Sequence, residues 1–236
     1  MHLDLLRELN VERVARRACL LVTDLETGES RLLRETEIAG DALEVEAEKA
    51  LRSGKSGGLE GSDLFLNVHL PPPRLLVIGA VHISQALAPM AALAGFHVEI
   101  IDPRTAFASV ERFPGADLRA EWPEIALGER PLDPYTAVVA VTHDPKIDDR
   151  PLIEALRTGC FYVGALGSRK THARRVERLL AAGLPQHRID RIEAPIGVDI
   201  GASTPAEIAV AILASVISAF RKRKMHAERR GEMDPA

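Results

Sequence analysis

Four short segments put chemistry-bearing side chains directly behind apolar, strand-like runs. They are Gly79-Ala-Val-His-Ile-Ser84, Asp102-Pro-Arg104, Thr142-His-Asp-Pro145 and Gly164-Ala-Leu-Gly-Ser-Arg-Lys170. Open α/β sheets bind ligands at the carboxyl ends of their strands, so the four segments would converge on one edge. The first reads as strand, tight turn and helix start, the opening of a nucleotide-binding unit. Val81 stands where a G-x-G-x-x-G fingerprint needs its second glycine, whose missing Cβ lets backbone approach a pyrophosphate. Gly79 therefore either shapes the turn or meets a ligand, and His82 follows at the helix start. Asp102 stands 23 positions beyond Gly79, close to the offset of about 20 expected of a ribose-binding acid. An Asp-Pro pair also suits a plain turn, with Arg104 beside it.

His143 and Asp144, with Asp148 close behind, suit proton transfer, because histidine titrates near neutral pH. The first two also suit capping of the next helix, but their place behind a buried strand, after Thr142, favours function. Gly164, Gly167, Ser168, Arg169 and Lys170 resemble an anion cradle at a helix N-terminus. The alternative is a surface charge cluster running on through Arg174, Arg175 and Arg178. Glycines interrupt the apolar run Pro195-Ile-Gly-Val-Asp-Ile-Gly-Ala202, which indicates close approach of a ligand or of another backbone; Gly197 and Asp199 are its candidate contacts. Cys19 and Cys160 read as core thiols. No C-x-x-C or H-E-x-x-H spacing is present, so no metal site is expected.

The elements that must position these residues fall into two parts. Residues 1–70 read as a small α+β domain: a helix through Leu5, Leu6, Leu9 and Val14, a strand at Cys19–Thr23, a helix at Ala42–Leu51, a loop at Ser56–Gly58 and a strand at Asp63–Leu70. Pro71-Pro-Pro73 is a stiff break. Over residues 71–223, strands at Leu75–Ile78, His97–Ile101, Thr136–Val141 and Cys160–Val163 alternate with helices at Ile83–Leu93, Ile147–Arg157, Ser168–Ala182 and Thr204–Phe220. The last opens with Thr204-Pro-Ala-Glu207: an N-cap, a first-turn proline and a capping-box glutamate. This rhythm predicts a Rossmann-like parallel sheet with helices on both faces. Residues 224–236 are expected to form a disordered tail.

Composition narrows the function. The 236 residues are 46% hydrophobic, enough for a substantial core. A formal net charge of -4 argues against a nucleic-acid partner. No apolar run approaches the roughly 18 residues of a membrane span. The N-terminus does not read as a signal peptide, and two cysteines suit a reducing cytoplasm.

Several ordered motifs resemble one family. They are Gly79-Ala-x-His82-Ile-x-Gln85, Ile101-Asp-Pro-Arg104, Glu111-Arg-Phe-Pro114, Thr142-His-Asp144, Tyr162-Val-Gly-Ala-Leu-Gly-Ser-Arg169, Pro195-Ile-Gly-x-Asp-Ile-Gly-Ala202 and Thr204-Pro-Ala-Glu-Ile-Ala209. Over about residues 71–220 the chain resembles the XdhC/CoxI family of accessory proteins for molybdenum hydroxylases such as xanthine dehydrogenase. The resemblance implies a Rossmann C-terminal domain that binds molybdenum cofactor (molybdopterin), assists its sulfuration and protection, and delivers it to the apo-hydroxylase. A sulfurase is a further candidate partner, and a homo-oligomer is expected. Two departures stand out. The family turn reads Gly-Ala-Gly-His, against Val81 here. The family's N-terminal Ser-Gly-Gly-Cys-x-Glu becomes Ser56-Gly-Gly-Leu-Glu60, and Leu59 can neither carry a persulfide nor ligate a metal.

A cofactor chaperone is therefore favoured over a turnover enzyme. An NAD(P)-dependent oxidoreductase is the alternative, since Asp102 would suit NAD. Val81 opposes it, as does the lack of a Ser/Tyr/Lys or Cys/His set. A non-catalytic nucleotide-binding assembly module is the third reading.

Overall fold

The computed structural model describes residues 3–223, and the tail expected over 224–236 lies outside them. The described residues divide into two compact units, one built from 3–71 and 221–223, the other Pro72–Phe220.

In the first unit, α1 (Leu3–Val14) precedes β1 (Cys19–Asp24) and β2 (Ser30–Arg34), followed by α2 (Glu44–Ser53), β3 (Gly57–Gly58) and β4 (Leu64–His69). The strands form an antiparallel sheet in the order β2-β1-β4-β3. The glycines expected as a loop thus add a short edge strand, pairing Gly57 with Leu66 and Gly58 with Phe65. Of the apolar residues that suggested α1, only Leu9 is fully buried, beside Glu12. The Glu12 carboxylate draws in Arg17 at 2.6 Å and Arg34 at 2.9 Å.

The second unit holds β5 (Arg74–Ile78), α3 (His82–Leu93), β6 (His97–Ile101), β7 (Asp117–Arg119), α4 (Pro123–Glu129), β8 (Thr136–Ala140), α5 (Pro145–Thr158), β9 (Tyr162–Ala165), α6 (Arg169–Ala181), α7 (Gln186–Ile189), β10 (Ile192–Glu193) and α8 (Pro205–Arg221). Its six strands are parallel in the order β10-β9-β8-β5-β6-β7. The chain enters at the centre, runs to one edge, then crosses back to fill the other: the doubly wound order, with its switch point between β5 and β8. Every residue of β5 and β8 is buried, because both sheet faces are covered. Leu75 and Val77 pack with α3 and α8, whereas Leu76 and Ile78 pack with α4, α5 and Leu179 of α6.

Some elements escaped the sequence reading. β7 and β10 are three and two residues long, too short for a period-2 signal. β9 starts at Tyr162 rather than Cys160, because Gly159 and Cys160 both donate to the Ala155 carbonyl and close α5. The α8 box forms as read: Thr204 N–H donates to Glu207 Oε2 at 3.0 Å, and Glu207 N–H to Thr204 Oγ1 at 3.2 Å.

The glycine-rich connector into α8 approaches backbone rather than ligand. A Cβ on Gly197 would lie 2.9 Å from Ala211 C and Ile212 N, at a φ of +92°. Gly197→Ala is expected to cost about 2–4 kcal/mol in urea denaturation, combining left-handed strain and a backbone clash. Gly159→Ala, at φ +79° with open space around it, is expected to cost only about 1 kcal/mol.

Candidate functional site

The carboxyl edge of the parallel sheet gathers the loops after β5, β6, β8 and β9. At the switch point, the turn after β5 is fastened on every side. Gly79 N–H donates to Ile101 O at 2.8 Å, and its carbonyl accepts Ser84 Oγ at 2.5 Å. A Cβ on Gly79 would stand 2.8 Å from Thr142 Cγ2, at φ +119°, so the neighbouring strand end alone requires this glycine. The two peptide groups flanking Ala80 are each held by a side chain. Ala80 N–H donates to Asp102 Oδ2 at 2.8 Å, and Ala80 O accepts from Arg112 Nη1 at 3.0 Å.

Asp102 is the hub of this arrangement. It is fully buried and accepts four hydrogen bonds: from Ala80 N, from Arg104 N and Nε on Oδ1, and from Arg104 Nη2 on Oδ2. Burial would raise its pKa, but the bonds from Arg104 and from the Ala80 and Arg104 amides outweigh it and hold the carboxyl below its ordinary value. Arg104 also lies over the Phe107 ring at 4.5 Å. Both residues are committed inside the chain. Asp102 has no open lone pair for a ribose, and Arg104 turns Nε and Nη2 onto Asp102. Val81 adopts an extended N-cap conformation, and His82 is exposed at the helix start.

The other expected residues divide. Asp144 caps α5, accepting from Lys146 N at 3.0 Å, so capping describes its contact. His143 is exposed and sits at φ +65°, a left-handed conformation that a non-glycine residue adopts at a cost. Thr142 is buried and donates to Asp148 Oδ1 at 2.6 Å. Gly164 is not part of an anion cradle: it lies within β9, and a Cβ there would sit 2.7 Å from Ile196 and the Tyr162 hydroxyl. Gly167, at φ +139°, turns the chain against Thr171, and Ser168 caps α6 through Thr171 N at 3.2 Å. Arg169 and Lys170 are exposed, and Asp199 accepts the N–H of Gly201 at 3.3 Å.

A cavity of about 200 Å³ opens beside the end of β8, between α5 and α6. His143, Asp148, Asp149, Thr171, Arg174, Arg175 and Arg178 line it with Pro145. Arg178 is neutralised by Asp149, at 2.6 and 3.0 Å. Arg175 is 2% exposed and gives Nη2 to Leu166 O at 3.0 Å, leaving Nε and Nη1 buried without a partner. Asp148 is 1% exposed, and its Oδ2 is likewise unpartnered. Burial raises the Asp148 pKa to about 6, against the pull of Thr142 and Arg175. Burial also lowers that of Arg175. The sequence marks Asp148 only by its nearness to Asp144, and there Arg174, Arg175 and Arg178 read as surface charge. The available signal is their helical spacing: Arg175 stands four before the core residue Leu179, on the inward stripe of α6. Arg112 lies inside the Glu111–Pro114 motif, but nothing local marks it as the partner of Ala80.

The profile of the XdhC Rossmann domain matches residues 75–216. The chain belongs to this family. It is 36% identical over 163 residues to a Bacillus subtilis protein named as a probable xanthine dehydrogenase subunit, covering 69% of this chain and 47% of the relative. It is 31% identical over 149 residues to the Escherichia coli protein named molybdenum cofactor insertion chaperone PaoD, covering 63% of this chain and 40% of the relative. The XdhC-family chain thus spans less than half the length of these curated relatives. A Bacillus halodurans crystal structure titled as a xanthine dehydrogenase shares the fold, with a TM-score of 0.63 over 93% of this chain and 64% of its own, at 24% identity. Among the described residues, no helix is long and apolar enough to cross a membrane, and no His/Cys/Asp/Glu cluster could hold a metal ion.

The Asp148 environment sets a pH dependence. Its folded pKa lies above the unfolded value, so the native state holds the proton more tightly. Stability from this group is fully present below about pH 4 and is lost as pH rises through about 6. Between pH 5 and pH 7 the loss is expected to be about 1 kcal/mol, read from urea midpoints. Asp148→Asn is expected to remove that slope.

Proposed function

We propose that this XdhC-family protein is an accessory factor that binds molybdenum cofactor and assists its insertion into a molybdenum hydroxylase of the xanthine dehydrogenase type. The family membership carries this reading, together with a relative named as a molybdenum cofactor insertion chaperone. The cofactor, once seated in its client, supplies the redox chemistry there; this chain's residues bind, orient and protect.

The sheet edge discriminates between ligands. A dinucleotide pyrophosphate needs free amides at the first turn and room at the second glycine position. Here Ala80 N–H is taken by Asp102, and Val81 occupies the approach. These residues do not fit NAD(P). A phosphate-bearing pterin needs unpartnered donors at the same edge, and the buried Nε and Nη1 of Arg175 fit that need.

Sulfuration is assigned to a partner sulfurase rather than to this chain's thiols. Cys19 and Cys160 are both buried, and burial pushes the Cys19 thiol up to about 11, the opposite of an activated thiolate. Leu59 offers no sulfur at the family's cysteine position. The chain would shield and present the cofactor while sulfur arrives from elsewhere.

The test is reconstitution of an apo molybdenum hydroxylase with molybdenum cofactor, anaerobically, with and without this protein. Faster or more complete activation in its presence is expected, with NAD(P) producing no calorimetric binding signal. Activation that is identical without the protein, or saturable NAD(P) binding, contradicts the proposal.

A further inference from the structure

The cavity between α5 and α6 contains an imbalance that the fold does not resolve. Arg175 is buried to 2% exposure, yet two of its guanidinium nitrogens have no partner. A buried charge without its hydrogen bonds is costly unless a ligand completes them. Of the other cavity cations, Arg178 is already matched by Asp149, whereas the Arg174 side chain is exposed at the rim. The remaining lining includes Thr171, whose hydroxyl shares a hydrogen bond with Ser168 Oγ at 3.0 Å, and His143.

We infer that this cavity is an oxyanion site shaped for one phosphate group, gripped by Arg174 and Arg175 with His143 at its mouth. Size supports the assignment. About 200 Å³ equals the liquid share of roughly six or seven water molecules, enough for a phosphate and its linking oxygen. Whole drug-sized ligands fill about 300–1,000 Å³, so any larger molecule would leave its body outside. Arginine forks are matched to tetrahedral oxyanions through paired N–H donors. Asp148 fits the same picture, because burial and an adjacent anion both favour its protonated form, which presents Oδ2 as a hydroxyl donor. His143, at a left-handed φ of +65°, is itself among the residues that line the cavity. The inference rests on the cavity's own chemistry and holds whichever molecule carries the phosphate, including molybdopterin.

The experiment uses the full chain and inorganic phosphate as probe, by isothermal calorimetry at fixed ionic strength. Saturable one-to-one binding is expected. Arg174→Ala, a change at an exposed side chain, is expected to weaken binding at least ten-fold with an unchanged urea midpoint. Arg169→Ala with Lys170→Ala, at the exposed start of α6, is expected to leave it within two-fold. Arg175→Lys is expected to weaken binding further than Arg174→Ala; should it fail to fold, Arg174→Ala decides alone. Glycerol 3-phosphate distinguishes sources: tighter binding than inorganic phosphate identifies a monoester ligand, and equal binding identifies the free ion, both supporting the site. No saturable phosphate binding, or binding lost on changing Arg169 and Lys170 but kept in Arg174→Ala, overturns the inference.

Discussion

The backbone of one residue, Ala80, ties together the turn after β5 and the loop after β6. Ala80 gives its N–H to Asp102 and its carbonyl to Arg112, so the turn that would face a ligand is tied to the loop after β6. The tie is costly to break, since both side chains reach into a buried setting and every Asp102 oxygen is already used. It also converts a binding loop into a structural one. Amides that many Rossmann folds offer to a pyrophosphate are spent here on holding two strand ends together. Val81 is then less an isolated loss than part of a turn no longer shaped for a dinucleotide.

The proposed ligand chemistry at this edge lies towards β8 and β9. There the polar groups are unevenly matched. Arg178 and Asp149 satisfy each other, while Asp148 and Arg175 are buried beyond what their partners compensate. The pKa of Asp148 moves up and that of Arg175 moves down, because burial disfavours the charged form of each. A stable fold tolerates such a pair where function uses it.

Much of this architecture was legible in the sequence. β5 and β8 are unbroken apolar runs because two helical layers cover them, and Thr204-Pro-Ala-Glu207 carried all the signals of a helix start. The site was harder to read for a physical reason. A spacing of about twenty residues between glycine and acid suits a ribose hydroxyl, but it suits equally an acid turned inward onto the glycine turn, as Asp102 is. Gly164 looks like a glycine of a cradle, yet it makes room for Ile196, and of the two readings of Gly197, close approach of a ligand or of another backbone, the α8 backbone supplies the second. Arg175 hides in a basic stretch whose other members face solvent or their own ion pairs. Only tertiary packing separates these cases.

The most direct test of this account is amide hydrogen exchange at Ala80, followed by NMR with and without saturating NAD. A clamped amide is expected to exchange only through global opening, with a protection factor that NAD leaves unchanged. Fast exchange of Ala80 in the free protein, or new protection on adding NAD, would show that the turn is open to a dinucleotide and that the Asp102 clamp does not govern this edge.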